Sequence, residues 1–388
     1  MNSDQNPESP GSSDAPESGD ALLGFRQEID ETDRDIVRLI LRRAELAKAI
    51  GEAKRKQGGA VYRPDREKEV YKNIAKIAGE LYGAAPPFPV QILEHVYREI
   101  MSGSIAIEGG PRVAYLGPES SFSHLATRFR FGASVAAVPV DTIPAVFRAV
   151  EAGRDVSFGV VPVENTIEGP VGITLDSFIN SELKVYAEHY IRVELNLLAP
   201  LEPAKWELSD IRKVYTIRIA REQCRNWLEN HLNMRNVEVV ETSSTAAAAK
   251  LVAERGDGVA VASELSAETY GLQILRRSIQ DSPHNVTRFF VLGREQCPPT
   301  GEDKTTIMCT LRDKPGSLYN MLNPFEERGV NLTRIESRPN RSTLGGYNFF
   351  TDFLGHHQEA RIQEILAEVE EHTTTLKVLG SFPSMKMP

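Results

Sequence analysis

Between Arg26 and Lys54, the residues Arg26, Ile29, Asp33, Ile36, Ile40, Arg43, Ala47, Ile50 and Lys54 follow one another at alternating steps of three and four. That spacing keeps one seam of an α-helix turned toward a partner helix over four heptads. The helix it requires is about 42 Å long at ~1.5 Å per residue. The helical segment it opens is too short to bury such a stripe alone, so an intertwined dimer is expected. The seam also places the cations of Arg26, Arg43 and Lys54 where apolar side chains belong. A cation withdrawn from water is costly unless paired, and the seam itself offers only Asp33. A small dianionic ligand would supply the missing charge. Alternatively, the long side chains reach solvent, with Glu31 or Glu67 as partners. That suits Arg26 and Lys54 at the two ends better than central Arg43.

The chain has 388 residues, too many for one compact core, so two to four domains are expected. A formal charge of −9 argues against a nucleic-acid partner, which needs a concentrated basic surface. The start "MNSDQNPESPGSSDAPESGD" lacks the basic head and apolar middle of a signal peptide, and no apolar run is long enough to span a bilayer. A cytoplasmic protein without membrane contact is expected. Cys224, Cys297 and Cys309 stand at no metal or redox spacing, and His356-His357 beside Gly355 suits a turn, so neither metal nor cofactor is expected. Without secretion, the sequon Asn285-Val286-Thr287 carries no chemical meaning.

Residues 1–20 are acidic and poor in apolar groups and read as a disordered tail. From 21 to 109 the pattern is helical throughout, in three runs separated near Pro64 and at Pro86-Pro87. From 112 to 294 short β-branched runs alternate with amphipathic segments, which is α/β texture. Within it, "DTIPAVFRAVEAGRDVSFGVVPVE" parallels "TSSTAAAAKLVAERGDGVAVASE". Two similar lobes imply a cleft between them. From 304 to 382 the order βαββαβ is that of a ferredoxin-like α+β unit.

The motifs "FRQEID", "LRRAELAKAIGEAKRK", "RPDREKEV" and "REIMSGSIAIE" resemble the all-helical chorismate mutases. The resemblance implies that Arg43, Lys54 and Arg66 of one chain and Arg26 of the other hold the polar groups of chorismate, with Glu67, Ser104 and Glu108 completing the pocket. Ser104 and Glu108 lie four apart, on one helix face. The reaction is a unimolecular rearrangement, so catalysis consists of holding the compact conformer and stabilising charge on the breaking ether oxygen. Lys54 and Glu108 suit that last task. Many members carry Gln at the position of Glu108. An ionised glutamate cannot donate a hydrogen bond, so Glu108 is expected to act in its protonated form, and the mutase to favour acid pH. Arg63 stands where some members carry an acid.

The motifs "VAYLGPESSFSHLA", "GVVPVENTIEGPVG", "TSSTAAAA", "GVAVASELSAETYGL" and "NVTRFFVLG" come in the order of the prephenate dehydratases, whose fold is two α/β lobes in the manner of periplasmic binding proteins. The resemblance gives Thr287 of the Thr-Arg-Phe motif the part of donor to the departing hydroxide, with Arg288 fixing the cleft or a carboxylate. Ser121, Ser123, Glu164, Asn165 and Thr245 are the further substrate-binding candidates, although the Ser and Thr residues also fit helix N-caps. Ser120 replaces a glycine common in this loop.

"DKPGSLYNMLNPF" and "NLTRIESRP" resemble the two motifs of the ACT domain attached to prephenate dehydratases. That implies a phenylalanine site built from Gly316, Ser317, Leu318, Glu336, Ser337, Arg338 and Pro339, with Ser317 and Tyr319 departing from the usual pattern. The whole reads as a bifunctional enzyme that makes phenylpyruvate from chorismate for phenylalanine synthesis, under feedback by phenylalanine, dimeric through its helical and ACT domains. A dehydratase with an impaired mutase and a non-catalytic aromatic-acid sensor are the alternatives.

Overall fold

The computed structural model describes residues 17–57, 64–83, 85–202, 206–340 and 346–387. Three helices come first: α1 (Glu17–Gln57), α2 (Pro64–Tyr82) and α3 (Val90–Ile107). At 41 residues, α1 is about 62 Å long, longer than the seam alone requires. It begins at Glu17, inside the segment read as a disordered tail, because extending an existing helix adds a hydrogen bond for every residue ordered. Residues 1–16 lie outside the described residues. Only the last third of α1 packs closely in its own chain. Ala47 and Gly51 are buried, and a Cβ at Gly51 would lie 2.9 Å from the Cα of Glu108. Upstream, Phe25, Ile29, Ile36, Val37, Ile40 and Leu41 stand in water.

The middle of the chain builds two sheets. Strands β1 (Val113–Leu116), β2 (Ala137–Val140), β3 (Phe158–Asn165), the short β4 (Gly169–Pro170) and β5 (Lys184–Arg192) belong to the first. Strands β6 (Asn196–Ala199), β7 (Lys213–Thr216), β8 (Glu238–Glu241), β9 (Val259–Ala262) and β10 (Gln273–Arg276) form the second, in the order β10-β6-β9-β7-β8. The chain then returns to the first lobe as β11 (Val286–Gly293), giving the order β2-β1-β3-β11-β5 with β4 beside β3. The two crossovers are tied where Val193 N donates to Asn285 O at 2.8 Å.

Helices α4 (Phe122–Phe131), α5 (Ile143–Ala152) and α6 (Gly172–Ile179) flank the first sheet. Helices α7 (Arg218–Gln223), α8 (Arg225–His231), α9 (Thr245–Arg255) and α10 (Glu264–Tyr270) flank the second. The internal repeat is structural. In both copies a hydroxyl caps the helix: Thr142 accepts from Ala145 N at 3.2 Å, and Ser244 from Ala247 N at 3.0 Å. Both helices end at a left-handed glycine, Gly153 at φ 63° and Gly256 at φ 67°, a conformation that costs glycine nothing. Each then feeds a strand parallel to an earlier one of its lobe, β3 beside β1 and β9 beside β7.

The last unit runs β12 (Asp303–Leu311), α11 (Ser317–Glu327), β13 (Leu332–Pro339), β14 (Tyr347–Leu354), α12 (Ala360–His372) and β15 (Thr373–Pro383). Its antiparallel order β13-β14-β12-β15 is the ferredoxin-like one. One face of this sheet packs under α11 and α12 through Ile307, Cys309, Phe353 and Ile365. Strand alternation turns Met308, Phe350 and Phe382 the other way, into a core shared with Phe290 and Val185 of the first lobe. The C-terminal unit therefore shares a core with the first lobe. Among the described residues no helix is long and apolar enough to cross a membrane, and no group of three His, Cys, Asp or Glu could hold a metal ion.

Candidate active sites

The ends of α1 and α3 and the start of α2 enclose a cavity of about 600 Å³ lined by Arg43, Lys54, Arg66, Glu67, Ser104 and Glu108. These are the candidates carried by the helical motifs, save Arg26. Arg43 Nη1 donates to Ser104 Oγ at 2.5 Å, and Ser104 in turn donates to Ile100 O at 2.8 Å, one helical turn back. Lys54 Nζ lies 3.2 Å from Glu108 Oε2, and Glu108 is buried against the Gly51 contact. Glu67 is mostly buried and accepts from Tyr71 Oη at 3.2 Å. Burial first, then the Glu67 carboxylate, pushes the Tyr71 phenol well above its ordinary range, so it remains a donor to Glu67. Arg66 sits at the exposed lip, beside Glu69 at 2.5 Å. Arg26 is exposed and lies seventeen residues, ~25 Å, up the helix from Arg43, too far to reach the same cavity. Arg63 lies outside the described residues.

The second candidate site is at the end of β3 and the start of β11, which pair antiparallel with Asn165 opposite Thr287 and Glu164 opposite Arg288. Asn165 Nδ2 donates to Thr287 Oγ1 at 2.9 Å and to Asn285 Oδ1 at 2.8 Å. Its Oδ1 accepts from the backbone N–H groups of Ile167 and Glu168 at 2.9 and 3.0 Å, which fixes the amide orientation. Asn285 Nδ2 continues to Gln223 Oε1 at 3.0 Å, carrying the network onto α7 of the second lobe. Thr287 Oγ1 accepts from Asn165, which leaves its own proton available to donate. Asn285 and Gln223 were not read from the sequence. Gln223 ends an ordinary amphipathic stretch, and only the fold brings it here.

Helix N-termini of both lobes carry further candidates. Ser121 caps α4, accepting from His124 N at 3.3 Å, while Ser123 is buried within its first turn. Thr245 opens α9, behind the cap Ser244. Ser120 adopts φ 62°, the left-handed conformation its glycine-like position calls for. Its carbonyl accepts from the Ser263 and Ser266 hydroxyls at 3.3 and 3.2 Å, which ties the loop to the second lobe.

Two of the candidates lie on the other face of the sheet. Arg288 and Glu164 do not share a side with Thr287, because successive strand residues point to opposite faces. Arg288 is buried, with Nε 2.8 Å from Glu188 Oε2 and Nη1 2.5 Å from Asp352 Oδ2 on β14, and Lys304 Nζ joins Glu188 Oε1 at 2.7 Å. Glu164 pairs with Arg334 of β13 at 2.8 Å. Both residues are held by side chains of the ferredoxin-like sheet. Burial opposes the Arg288 cation, but the carboxylates of Asp352 and Glu188 more than offset it and raise its pKa. Burial likewise pushes Asp352 up, yet Arg288 and Arg334 hold its carboxyl below the usual range.

In the C-terminal unit, Gly316 takes φ 86° at the start of α11, where a side chain would be strained. Ser317 is buried and its hydroxyl lacks a hydrogen-bond partner among the described residues, while Leu318 and Tyr319 are exposed. Alternation along the edge strand β13 turns Glu336 and Arg338 inward and leaves Ser337 and Pro339 exposed. Arg338 pairs with Asp176 of α6 at 3.2 Å, which ties the unit to the first lobe.

Three family models match consecutive segments: chorismate mutase type II over residues 25–109, prephenate dehydratase over 113–297 and the ACT domain over 305–371. The chain is 45% identical over 362 residues to a bifunctional chorismate mutase/prephenate dehydratase of Aquifex aeolicus, covering 93% of this chain and 98% of that one. A protein of the same description from Stutzerimonas stutzeri is 41% identical over 369 residues, with 94% and 98% covered. Among solved structures, the prephenate dehydratase of Arthrobacter aurescens in complex with L-Phe is 34% identical with a TM-score of 0.64, over 70% of this chain and 90% of that one.

Proposed function

The chain belongs to the bifunctional chorismate mutase/prephenate dehydratase family, and on that premise we propose which of its residues carry each step. The helical domain converts chorismate to prephenate, the two-lobed domain converts prephenate to phenylpyruvate, and the ACT domain exerts phenylalanine feedback.

In the mutase site, Arg43 and Arg66 hold carboxylates of chorismate and Glu67 accepts from its hydroxyl. Lys54 and Glu108 face the ether oxygen as its bond breaks, the place where charge grows. Ser104 keeps the Arg43 guanidinium in register. The site is completed by Arg26 of the partner subunit in a dimer built on α1. Support for the dimer is the solvent-facing row of Phe25, Ile29, Ile36 and Ile40, larger than an isolated domain leaves bare. The edge strand β13, with Ile335 exposed, offers a second surface between ACT domains.

In the dehydratase site, loss of the ring carboxylate as carbon dioxide supplies the electron pair that aromatises the ring and expels the hydroxyl on the opposite carbon. The hydroxide takes up one proton and leaves as water. Thr287 donates a hydrogen bond to that oxygen, with Asn165 positioning it and the helix N-termini at Ser121 and Thr245 favouring the carboxylates. A threonine hydroxyl is a poor acid, so Thr287 is a positioned donor, not a conventional general acid. The observation that carries this reading is the direction of the Asn165–Thr287 hydrogen bond, which frees the hydroxyl proton. The enzyme works in the cytoplasm, in keeping with its biosynthetic relatives.

The test is purified protein supplied with chorismate, with prephenate and phenylpyruvate followed separately. Transient prephenate and accumulating phenylpyruvate are expected. Accumulation of prephenate alone would refute the dehydratase assignment, and inertness toward chorismate with activity on prephenate would refute the mutase assignment.

A further inference from the structure

Helix α4 belongs to the dehydratase domain, but its two ends serve different places. Its N-terminal cap, Ser121, lies in the loop of the dehydratase candidates, whereas Arg130 and Phe131 at its other end line the mutase cavity. Arg130 Nη2 lies 2.8 Å from Glu67 Oε2, with both side chains close to nine-tenths buried. Glu67 thus receives a phenol hydrogen bond from its own helix, through Tyr71, and a charge-assisted one from another domain.

The contact is built, not incidental. Just beyond α4, Ala133 N donates to Glu99 Oε2 and Ser134 N to Ser102 Oγ, each at 3.1 Å. The guanidinium of Arg98 on α3 stacks over Phe129 of α4, 4.8 Å from the ring centroid. Gly132, at φ 76°, lets the backbone close on α3: a Cβ there would fall 2.3 Å from Ser102 Cβ. Every one of these contacts joins the helical domain to the dehydratase domain beside the chorismate pocket.

We propose that Arg130 is a positioning residue of the mutase site, so that the dehydratase domain completes the pocket in which chorismate rearranges. It holds the Glu67 carboxylate as an oriented acceptor for the substrate hydroxyl, while Phe131 closes the adjacent wall. The inference rests on the reading of Glu67 as the residue that binds that hydroxyl. Since the hydroxyl takes no part in bond making or breaking, its contact is made equally in ground and transition states and is read in KM.

The test uses the full chain with Arg130→Gln, Arg130→Lys, Glu67→Gln and the Arg130→Gln/Glu67→Gln double variant, each assayed for both activities. Arg130→Gln should raise the mutase KM for chorismate about tenfold, within the up to ~100-fold cost of a misplaced group. Its kcat should change much less, and its dehydratase constants should not change. Arg130→Lys should recover most of the loss, and the double variant should be no worse than Glu67→Gln, because both act through one contact. If Glu67→Gln leaves the mutase unchanged, the reading of Glu67 falls. If Glu67→Gln is impaired but Arg130→Gln is not, or if the two losses multiply, that reading stands and the proposal is overturned. Should Arg130→Gln fold poorly and depress both activities, Arg130→Lys decides: a mutase KM near wild type supports the proposal, and one as high as that of Glu67→Gln overturns it.

Discussion

Replacing Arg288 by methionine tests the assignment of this residue to the join between the dehydratase and ACT domains. The side chains of Arg288, Lys304, Glu188 and Asp352 are each at most 7% exposed, and their formal charges cancel. Arg288→Met leaves two carboxylates facing one ammonium. Removing one partner of a buried pair costs about 3–5 kcal/mol. For a unit of this size each kcal/mol moves Tm by about 2–4 °C, so the transition should fall by ~6–20 °C. The double variant Arg288→Met/Asp352→Asn restores neutrality, leaving Glu188 with Lys304, and should be more stable than Arg288→Met alone. Thermal unfolding of the full chain and of both variants measures this. At a temperature where the single variant is folded, its KM for prephenate should stay within a few-fold of wild type. A large rise in KM with unchanged stability would refute the reasoning and return Arg288 to the substrate. Acid adds a check. Asp352 is depressed in the folded state, so its contribution is present above the unfolded value of about 3.9 and is lost as pH falls through the lower folded one. Wild type should lose that stability on strong acidification, and Asp352→Asn should lack it at neutral pH already.

Thr287→Ala should lower dehydratase kcat by roughly 10²- to 10⁴-fold and leave the mutase intact; equal loss of both activities would mark Thr287 as structural. Glu108→Ala should lower mutase kcat by roughly 10²-fold, and Glu108→Gln, whose amide can donate, should retain most of it; full activity in Glu108→Ala would refute a role for this residue at the ether oxygen. Ile36→Glu on the exposed seam should yield a smaller species in sedimentation and remove mutase activity with it, if Arg26 comes from the partner subunit as proposed; an unchanged species would refute the dimer built on α1. Asp176→Asn should raise the phenylalanine concentration for half-inhibition about tenfold, equivalent to ~1.4 kcal/mol of coupling; unchanged inhibition would separate the Arg338 contact from feedback.

Much of the molecule could be read from local pattern. The 3,4 spacing along α1 is a property of one helix, and it specified both the long element and the seam that its own domain cannot cover. The repeat around Thr142 and Ser244 was equally visible, because a cap, an amphipathic helix and a glycine stop are local devices with local sequence signatures. The cations of the mutase cavity were legible because Arg43 sits where a seam tolerates no charge without a ligand. Arg26 was marked by the same seam, as a residue proposed to serve the other chain, and here it is exposed.

Contacts between domains were beyond such reading. The motif "TRF" ranks Thr287 and Arg288 as neighbours, whereas the strand sends one to Asn165 and the other to Asp352, sixty-four residues downstream. Glu164 and Arg338, each placed by motif in a binding site, turned out to hold domains together through Arg334 and Asp176. Gln223 and Arg130 carry no local signal at all. The chain's order of residues settled its helices, its repeated lobes and the chemistry each domain can perform. Which charges face a ligand and which face another domain depends on strand alternation and on long-range packing, and those are set only when the three units close on one another.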